Sequence, residues 1–516
     1  MTLVTRPRRF GKTLLLNTVD RFLSNQYQNQ SQWFEGLEVW NDPALRKVQG
    51  TLPVIFLSFA DVKERNYQDA VRKLAELLFR LYGRYRFLLE SDVLSEEEKA
   101  EYRKVLPDME QARISGALNI LSEYLYRYYH KKVIILLDEY DTPMQEAYVN
   151  GYWKEITQLF RSLFNSALKT NPYMDRALMT GITRVSRESM FSDLNNLKVI
   201  STSTDRYTTA FGFTEAEVFS AMDTYGYRDK EGVRRWYDGF VFGSSRSIYN
   251  PWSIINYLQE GKLKPYWSNT SGNALASKLI REGNRALKTE FETILKGETI
   301  HSRIDEQVVF GEIQGKASSV WSLLLASGYL KALHVKGDDY ELALTNYEVA
   351  QMFEKLVQRW FDAVEDDYND FVNALLRDDI EEMNHYMNRV ALATFSSFDS
   401  GTHPSDAEPE RFYHGFVLGL LVELKDRYLL TSNRESGFGR YDVMLEPRNP
   451  NVDDAYILEF KVNDPKEEPD LQDTVKAAHA QITEKKYAQS LVERGIPEER
   501  IHVYGFAFRG KEVLIG

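Results

Sequence analysis

The stretch RPRRFGKT at residues 6–13 ends in Gly11, Lys12 and Thr13, directly ahead of the apolar sequence LLLNTVDRFL. These residue types, in this order at a helix start, can hold the phosphates of a nucleotide. Backbone N–H groups surround the phosphates, the lysine adds a positive charge, and the hydroxyl binds Mg²⁺. Such a loop normally has a further glycine where this chain has Arg6. Taken alone, Gly-Lys-Thr more often marks an ordinary helix start, so the interpretation depends on a second motif.

That second motif is the apolar run VIILLDE at residues 133–139, which ends in Asp138 and Glu139. Two carboxylates at the end of a buried strand are costly unless they serve a ligand or pair with cations. In nucleotide-hydrolysing proteins such a strand gives an aspartate to the Mg²⁺ ion and a glutamate that orients the attacking water. Together the motifs predict a nucleotide site in which Thr13 and Asp138 hold the metal and Glu139 is catalytic.

Further polar residues follow another apolar run in the sequence MTGITRVSRESMF at residues 179–191. We expect Thr183 and Arg184 to face the same ligand crevice, where Arg184 could contact the γ-phosphate. A surface arginine paired with a nearby carboxylate is an equally good interpretation of Arg184. Two interpretations also remain for Arg8 and Arg9. They could contact phosphate, or they could be charged loop residues that face solvent.

A second group of chemically suggestive residues lies near the C-terminus, in GRYDVMLEP followed by AYILEFKV. Because side chains alternate along a strand, Glu459 and Lys461 share one face. Asp442 and Glu459 on paired strands could hold Mg²⁺, and Lys461 could orient or deprotonate the water that attacks a phosphodiester. The alternative is an amphipathic hairpin whose Glu and Lys face solvent.

The elements that must position these residues can be read from the hydrophobic pattern. As far as about residue 272, apolar runs of strand length alternate with helical patterns, which predicts a mostly parallel sheet covered on both faces. Thr214 and Glu217 have the spacing of a capping box. The predicted strands are at 2–5, 52–59, 132–141, 176–184 and 197–202.

The remaining chain divides into two further parts. Residues 273–400 are mainly helical, with a predicted hairpin turning at Gly337 and Asp338, and this order favours a winged-helix-like region. The segment 395–410 accumulates Ser, Gly, Pro and Asp, so we interpret it as a linker. A small α/β domain follows, with an apolar helix at 411–424, two strands, one helix at 474–491 and a final strand at 501–508.

Composition excludes several classes of protein. The chain has no cysteine, which excludes disulfides and thiolate metal sites and favours a reducing compartment. No apolar run approaches a membrane span and no signal-peptide pattern is present, so we expect a cytoplasmic protein that does not use a membrane. The formal charge of −12 opposes indiscriminate coating of nucleic acid but leaves room for a local basic groove.

Several of these motifs occur in a recognisable order. TRPRRFGKTLLLNT, ILLDEYDTPM, LMTGITRVSRESMFSDLNNL, WYDGFVFGSSRSIYNPWSIINYL and YWSNTS together resemble the AAA-ATPase-like family of bacterial proteins, over about residues 1–272. The resemblance implies a P-loop NTPase that binds ATP through an RPRRFGK loop without the first glycine. Family members usually carry a segment ahead of the first strand, so we expect the N-terminus of this chain to be truncated.

The C-terminal part, roughly residues 405–516, resembles the PD-(D/E)XK nuclease superfamily. The resemblance lies in the order helix, strand with Asp442, strand with Glu459 and Lys461, and helix with Gln481 and Lys485. It implies metal-dependent cleavage of nucleic acid. Gln481 is expected to contribute a hydrogen bond near the site rather than chemistry. Two further expectations concern Glu410, as an additional acidic residue, and His414 and His479, as ordinary packing or surface residues.

The sequence therefore predicts an α/β protein of three domains, at 1–272, 273–400 and 401–516. The preferred hypothesis is an ATPase with ATP and Mg²⁺ as cofactors, coupled to a Mg²⁺-dependent nuclease whose partner is nucleic acid, with DNA expected. The alternative is a nucleotide-dependent switch or binding protein whose nuclease-like domain does not cut. Assembly into a homo-oligomer is left open.

Overall fold

The computed structural model describes residues 1–516 apart from 184–193, 195, 268–273, 282, 284, 296, 306–315, 362–367, 396–416, 418–420, 422–423, 425–426, 433–434, 437–438, 441–442, 465–466 and 510–511. The chain forms two compact units, Met1–Met352 and Phe353–Gly516. The division into three domains at 272 and 400 stays a prediction.

A five-stranded parallel sheet organises the first unit. Its strands are β1 Thr2–Thr5, β2 Val54–Ser58, β3 Val133–Asp138, β4 Met174–Gly181 and β5 Lys198–Ile200. They lie in the order β2–β3–β4–β1–β5, and every neighbouring pair is parallel. All six residues of β3 are buried, and because its side chains alternate in direction, both faces of the sheet are covered there. The predicted α/β architecture is confirmed.

Seven α-helices accompany this sheet within the described residues. They are α1 Lys12–Leu23, α2 Pro43–Arg46, α3 Tyr67–Gly83, α4 Glu96–Arg103, α5 Gln111–Tyr129, α6 Thr142–Asn150 and α7 Trp153–Phe164. Helix α1 follows β1 and packs Leu16 against Val54, Ile134 and Leu136 of the sheet. Because parallel strands end at the same edge, β1, β3 and β4 all deliver their carboxyl ends to one side of the sheet.

A small antiparallel sheet and three helices follow β5. The elements are β6 Phe213–Thr214, α8 Glu215–Tyr225, α9 Lys230–Tyr237, β7 Phe240–Phe242, β8 Ser245–Tyr249 and α10 Pro251–Glu260. The predicted capping box is confirmed, because Thr214 and Glu217 each bond the other's backbone N–H. Helix α10 starts at Pro251, and the side chain of Asn250 accepts hydrogen bonds from the next two amides.

The middle of the chain combines helices with a three-stranded sheet. Its elements are α11 Ala274–Arg281, α12 Arg285–Leu295, β9 Ile300–Arg303, α13 Ala317–Ala326, β10 Leu330–Lys336, β11 Asp339–Leu344 and α14 Tyr347–Phe361. The hairpin predicted at Gly337 and Asp338 is confirmed, and Gly337 takes the positive φ of 62° that the turn requires. Strand β9, which pairs with β11, was not predicted from the sequence.

The second unit is a mixed sheet between helices. Its elements are α15 Tyr368–Leu376, α16 Ile380–Phe395, β12 Tyr428–Ser432, β13 Glu435–Ser436, β14 Gly439–Arg440, β15 Val443–Pro447, β16 Ala455–Val462, α17 Leu471–Glu484, α18 Tyr487–Val492, β17 Ile501–Arg509 and β18 Glu512–Ile515. The main sheet has the order β12–β15–β16–β17–β18. Leu458 packs with Met387 on one face, and Ile457 packs with Ile482 on the other. The alternation predicted for β16 is confirmed.

One predicted helix of this unit is wrong in extent. The run 474–491 is not continuous, because α17 ends before Lys485 and α18 begins after Lys486, whose φ is 52°. The two helices still present apolar residues to one cluster, which explains the unbroken pattern. The helix at 411–424 and the linker at 395–410 lie almost entirely outside the described residues. Among the described helices, none has the length and apolar composition needed to cross a membrane.

Candidate nucleotide and metal sites

The loop between β1 and α1 ends in a turn suited to phosphate. Arg9 and Gly11 have φ angles of 64° and 78°, and Gly11 is the N-cap residue of α1. Glycine adopts this left-handed conformation at little cost because it lacks a Cβ atom. Gly11 and Thr13 are exposed. The start of α1 is therefore accessible, and a helix N-terminus attracts anions through its free N–H groups and its dipole.

Arg6, which stands in place of the first glycine, bonds to main-chain carbonyl groups. Its side chain is fully buried and donates 2.8 Å hydrogen bonds to the carbonyl oxygens of Thr5 and Ser201. Its guanidinium also lies 4.7 Å from the ring centroid of Phe242. Burial lowers the pKa of Arg6 to about 10. The arginine thus fixes the loop to the segment after β5.

Lys12 is buried beneath the loop. Its Nζ atom donates to the carbonyl oxygens of Arg6 at 3.0 Å and Pro7 at 2.9 Å. Burial lowers the pKa of Lys12, and negative charges act in the opposite direction. Those charges belong to Glu139, Asp141 and Asp138. The lysine is therefore at the centre of the loop and faces the acidic end of β3.

Asp138 is brought together with Thr13, as the sequence predicts. Oδ2 of Asp138 accepts a 2.8 Å hydrogen bond from the Thr13 hydroxyl and one of 3.2 Å from Ser58, and Oδ1 accepts one of 2.7 Å from Thr180. The carboxylate is fully buried. Three elements supply the hydroxyls: α1, β2 and β4. A hydroxyl beside a carboxylate is the oxygen pair that Mg²⁺ prefers in a phosphate loop, so the residues present fit this ion.

Glu139 follows directly, in an unusual conformation. Its φ is 49°, which is uncommon for a residue with a long side chain and tends to occur at functional sites. Its Oε2 accepts a 3.2 Å hydrogen bond from the Thr142 hydroxyl at the start of α6. The side chain is only partly buried. Glu139 is thus beside Asp138 and accessible, as a residue that orients water would have to be.

The structure places Thr183 differently from a residue that contacts a nucleotide directly. Thr183 is buried, and its amide and its hydroxyl both donate to Oδ2 of Asp141, at 2.8 and 2.9 Å. Arg184 lies outside the described residues. Arg8 donates to Oε1 of Gln145 at 3.0 Å, and Arg9 lies 4.6 Å from the ring centroid of Trp252. Both arginines therefore have protein partners.

Sequence reasoning missed two residues here, Asp141 and Gln145. Oδ2 of Asp141 also accepts hydrogen bonds from the Ile182 amide at 3.0 Å and from Nε2 of Gln145 at 2.9 Å. One signal was available: the acidic residues of DEYD continue to Asp141, and Gln145 is four residues further on, one helical turn away.

In the second unit, Glu459 and Lys461 share a partner in α17. Gln481 donates through Nε2 to Oε1 of Glu459 and accepts a 2.7 Å hydrogen bond from Nζ of Lys461. Glu459 is buried, whereas Lys461 and Gln481 are half-buried. Gln481 therefore contributes hydrogen bonds near Glu459 and Lys461, as the sequence led us to expect. The amphipathic alternative, in which Glu459 faces solvent, does not fit its burial.

The rest of the predicted cleavage site is only partly described. Asp442, Glu410 and His414 lie outside the described residues, and Lys485 follows the end of α17. Nε2 of His479 is 2.8 Å from the carbonyl oxygen of Gly516. Within the described residues, no group of three His, Asp or Glu side chains is arranged to hold a metal ion.

Two parts of the chain match known protein families. Residues 1–191 match the family described as Predicted AAA-ATPase, and residues 408–516 match the PD-(D/E)XK nuclease superfamily. The chain joins an AAA-ATPase-like region to a PD-(D/E)XK nuclease superfamily region. Both resemblances drawn from the motifs are confirmed, although the AAA-ATPase-like match ends well before residue 272. The two regions indicate nucleotide binding, use of a divalent metal and a nuclease-type domain.

Individual proteins are also similar to this chain. An uncharacterized protein in the vnfD 5′ region of Azotobacter chroococcum mcd 1 is 27% identical over 99% of this chain and 90% of its own length. Among solved structures, the ORC2 protein of Aeropyrum pernix in ADPNP–ADP complexes is 10% identical, with a TM-score of 0.22, over 69% of this chain and 88% of that one. A TM-score this low supports no conclusion.

Proposed function

We propose that the N-terminal region binds ATP with Mg²⁺ and hydrolyses it, and that this controls a Mg²⁺-dependent nuclease in the C-terminal domain, acting on nucleic acid with DNA as the expected target. The observation that carries the nucleotide half is the 2.8 Å hydrogen bond between Thr13 and Asp138, beside the exposed start of α1. Residues 125 positions apart meet there as the two motifs require.

The geometry supports a proposed role for each residue. The amides at the start of α1 and the ammonium of Lys12 would bind phosphate oxygens, and Thr13 and Asp138 would hold Mg²⁺. When bound, the ion would neutralise charge that develops on the transferred phosphoryl group. Glu139 would orient the attacking water, since it is next to Asp138 and accessible. Arg6 contributes indirectly, by anchoring the loop.

The nuclease half is supported by a buried carboxylate next to a lysine. Burying Glu459 costs free energy unless it has hydrogen-bond or cation partners, and Gln481 links it to Lys461. In the proposal, Glu459 and Asp442 hold the metal and Lys461 acts on the attacking water. The coupling of the two halves rests on their occurrence in one chain.

Nucleotide binding is tested with Lys12→Ala and a control, Lys154→Ala, which removes an exposed lysine of α7. We expect the parent and the control to bind a fluorescent ATP analogue in the presence of Mg²⁺ and Lys12→Ala to lose that binding. Equal binding by all three proteins would refute the phosphate-loop assignment.

Cleavage is tested with single- and double-stranded DNA and RNA, with Mg²⁺ and with or without ATP. Glu459→Gln and Lys461→Ala should abolish cleavage, with Lys476→Ala, an exposed lysine of α17, as the control. ATP-dependent binding without cleavage by the parent would favour the switch protein instead. A Lys12→Ala protein that cuts like the parent with and without ATP would remove the coupling.

A further inference from the structure

A continuous set of hydrogen bonds crosses from the phosphate loop to the end of β4. Arg8 donates to Oε1 of Gln145 at 3.0 Å, and Nε2 of Gln145 donates to Oδ2 of Asp141 at 2.9 Å. The same Oδ2 accepts from the amide and hydroxyl of Thr183, at 2.8 and 2.9 Å, and from the amide of Ile182 at 3.0 Å. We call Arg8, Gln145, Asp141 and Thr183 the relay.

The relay is centred on the buried carboxylate of Asp141. Asp141 is fully buried, and a buried carboxylate costs free energy unless its oxygens are bonded. Oδ2 accepts all four bonds, and Oδ1 has no hydrogen-bond partner among the described residues. A Cβ atom at Gly181 would lie 2.6 Å from Oδ1. The carboxylate thus lies close against the backbone of β4.

Both ends of the relay lie at the proposed nucleotide site. At one end, the carbonyl oxygen of Arg8 is held by Asn250 at 3.2 Å and by the indole N–H of Trp267 at 3.1 Å. At the other end, β4 also supplies Thr180, which bonds Asp138. Gln145 is the single neutral member between two charged groups, since its amide accepts from Arg8 and donates to Asp141.

We propose that Asp141 and Gln145 are positioning residues that transmit the state of the phosphate loop to the end of β4. The proposal rests on nucleotide binding in that loop. Phosphate held by the loop changes the Arg8–Gln145 contact, and Asp141 passes the change to the amides of Ile182 and Thr183. Neither Asp141 nor Gln145 touches the nucleotide in this scheme.

The experiment is hydrogen exchange at the amides of Ile182 and Thr183, with and without ATP and Mg²⁺, in the full chain. In the parent we expect ATP to change exchange by about tenfold, the effect of altering one hydrogen bond to a charged group. Gln145→Met keeps the length and removes both bonds, so exchange should no longer respond to ATP. The matched control is Asn150→Leu at the end of α6, which should respond like the parent.

If Gln145 mattered only for folding, its replacement would not remove the exchange response to ATP while leaving the ATP affinity unchanged. For Gln145→Met we expect ATP affinity within about twofold of the parent, as for a residue without ligand contact. If the parent hydrolyses ATP, kcat should fall about tenfold with little change in KM.

Three results would overturn the proposal in distinguishable ways. If Gln145→Met keeps the ATP response, the relay does not transmit. If Gln145→Met loses ATP affinity in parallel with its response, Gln145 supports the loop itself. If the parent binds no ATP, the proposed function fails, and the relay fails with it.

Discussion

Replacing Arg6 by the glycine that phosphate loops normally carry should damage this protein. The arginine donates two 2.8 Å hydrogen bonds, and bonds from a charged donor contribute about 1.5–3 kcal/mol each. Against this, burial lowers its pKa to about 10, which corresponds to a cost of about 3 kcal/mol for the charged form. The contact with Phe242 adds about 1–2 kcal/mol and the lost backbone freedom of glycine about 1 kcal/mol. Arg6→Gly should therefore lower the free energy of unfolding by about 2–6 kcal/mol.

The matched control is Arg9→Gly in the same loop. Arg9 is exposed and has a φ of 64°, so glycine relieves about 1 kcal/mol of backbone strain while losing an exposed ring contact of similar size. We expect no net change in stability. The measurement is equilibrium unfolding in urea, followed by titration of ATP, whose affinity should fall only for Arg6→Gly. An Arg6→Gly protein as stable as the parent, or an equal loss in Arg9→Gly, would refute the anchoring role.

Four further outcomes are expected. Asp138→Asn should bring ATP affinity in Mg²⁺ down to the value measured in EDTA, and an affinity still enhanced by Mg²⁺ would contradict the metal assignment. Gln481→Leu should cost about 1–3 kcal/mol in urea unfolding, because it strips buried hydrogen bonds, and should reduce cleavage; unchanged stability would argue against the bridge. Gly181→Ala should lower the melting temperature, because its Cβ atom would lie 2.6 Å from neighbouring atoms. Gly83→Ala has open space around the new Cβ atom and should not lower the melting temperature. Equal melting temperatures for the two variants would refute the packing argument. At Asp454, burial acts to raise the pKa and hydrogen bonds from an arginine and a histidine more than offset it, so the pKa lies below its ordinary value. The resulting stabilisation is present above about pH 4 and is lost as the pH falls, so the stability difference from Asp454→Asn should shrink between pH 6 and pH 3.

The sequence predicted the sheet of the first unit well because each strand is short, apolar and bounded by helical patterns. It also predicted that Thr13 and Asp138 would meet, since both follow strands whose carboxyl ends share one edge of a parallel sheet. It could not predict what Arg6 does. An arginine in a loop motif is normally read as a phosphate ligand, and only the fold shows the carbonyls of residues 200–207 that receive its guanidinium.

Asp141 and Gln145 escaped prediction for a related reason. Asp141 accepts hydrogen bonds from the backbone amides of Ile182 and Thr183, just after β4, and Gln145 accepts one from the distant Arg8. Neither contact leaves a signal in the sequence. In the second unit, the apolar pattern ran through Lys485 and Lys486 because both resulting helices pack on one cluster. A turn made by a lysine with positive φ has no composition signature, unlike one made by glycine.

The hydrogen bonds between Lys12 and the carbonyl groups of its own loop affect which ligands the loop can bind. A phosphate arriving at α1 competes for the ammonium of Lys12 with two main-chain oxygens that are already in place. A ligand of low charge gains too little free energy to replace these two hydrogen bonds. A polyphosphate makes several contacts at once, and these can offset the loss. We therefore expect the loop to bind a triphosphate more tightly than the free inorganic anion.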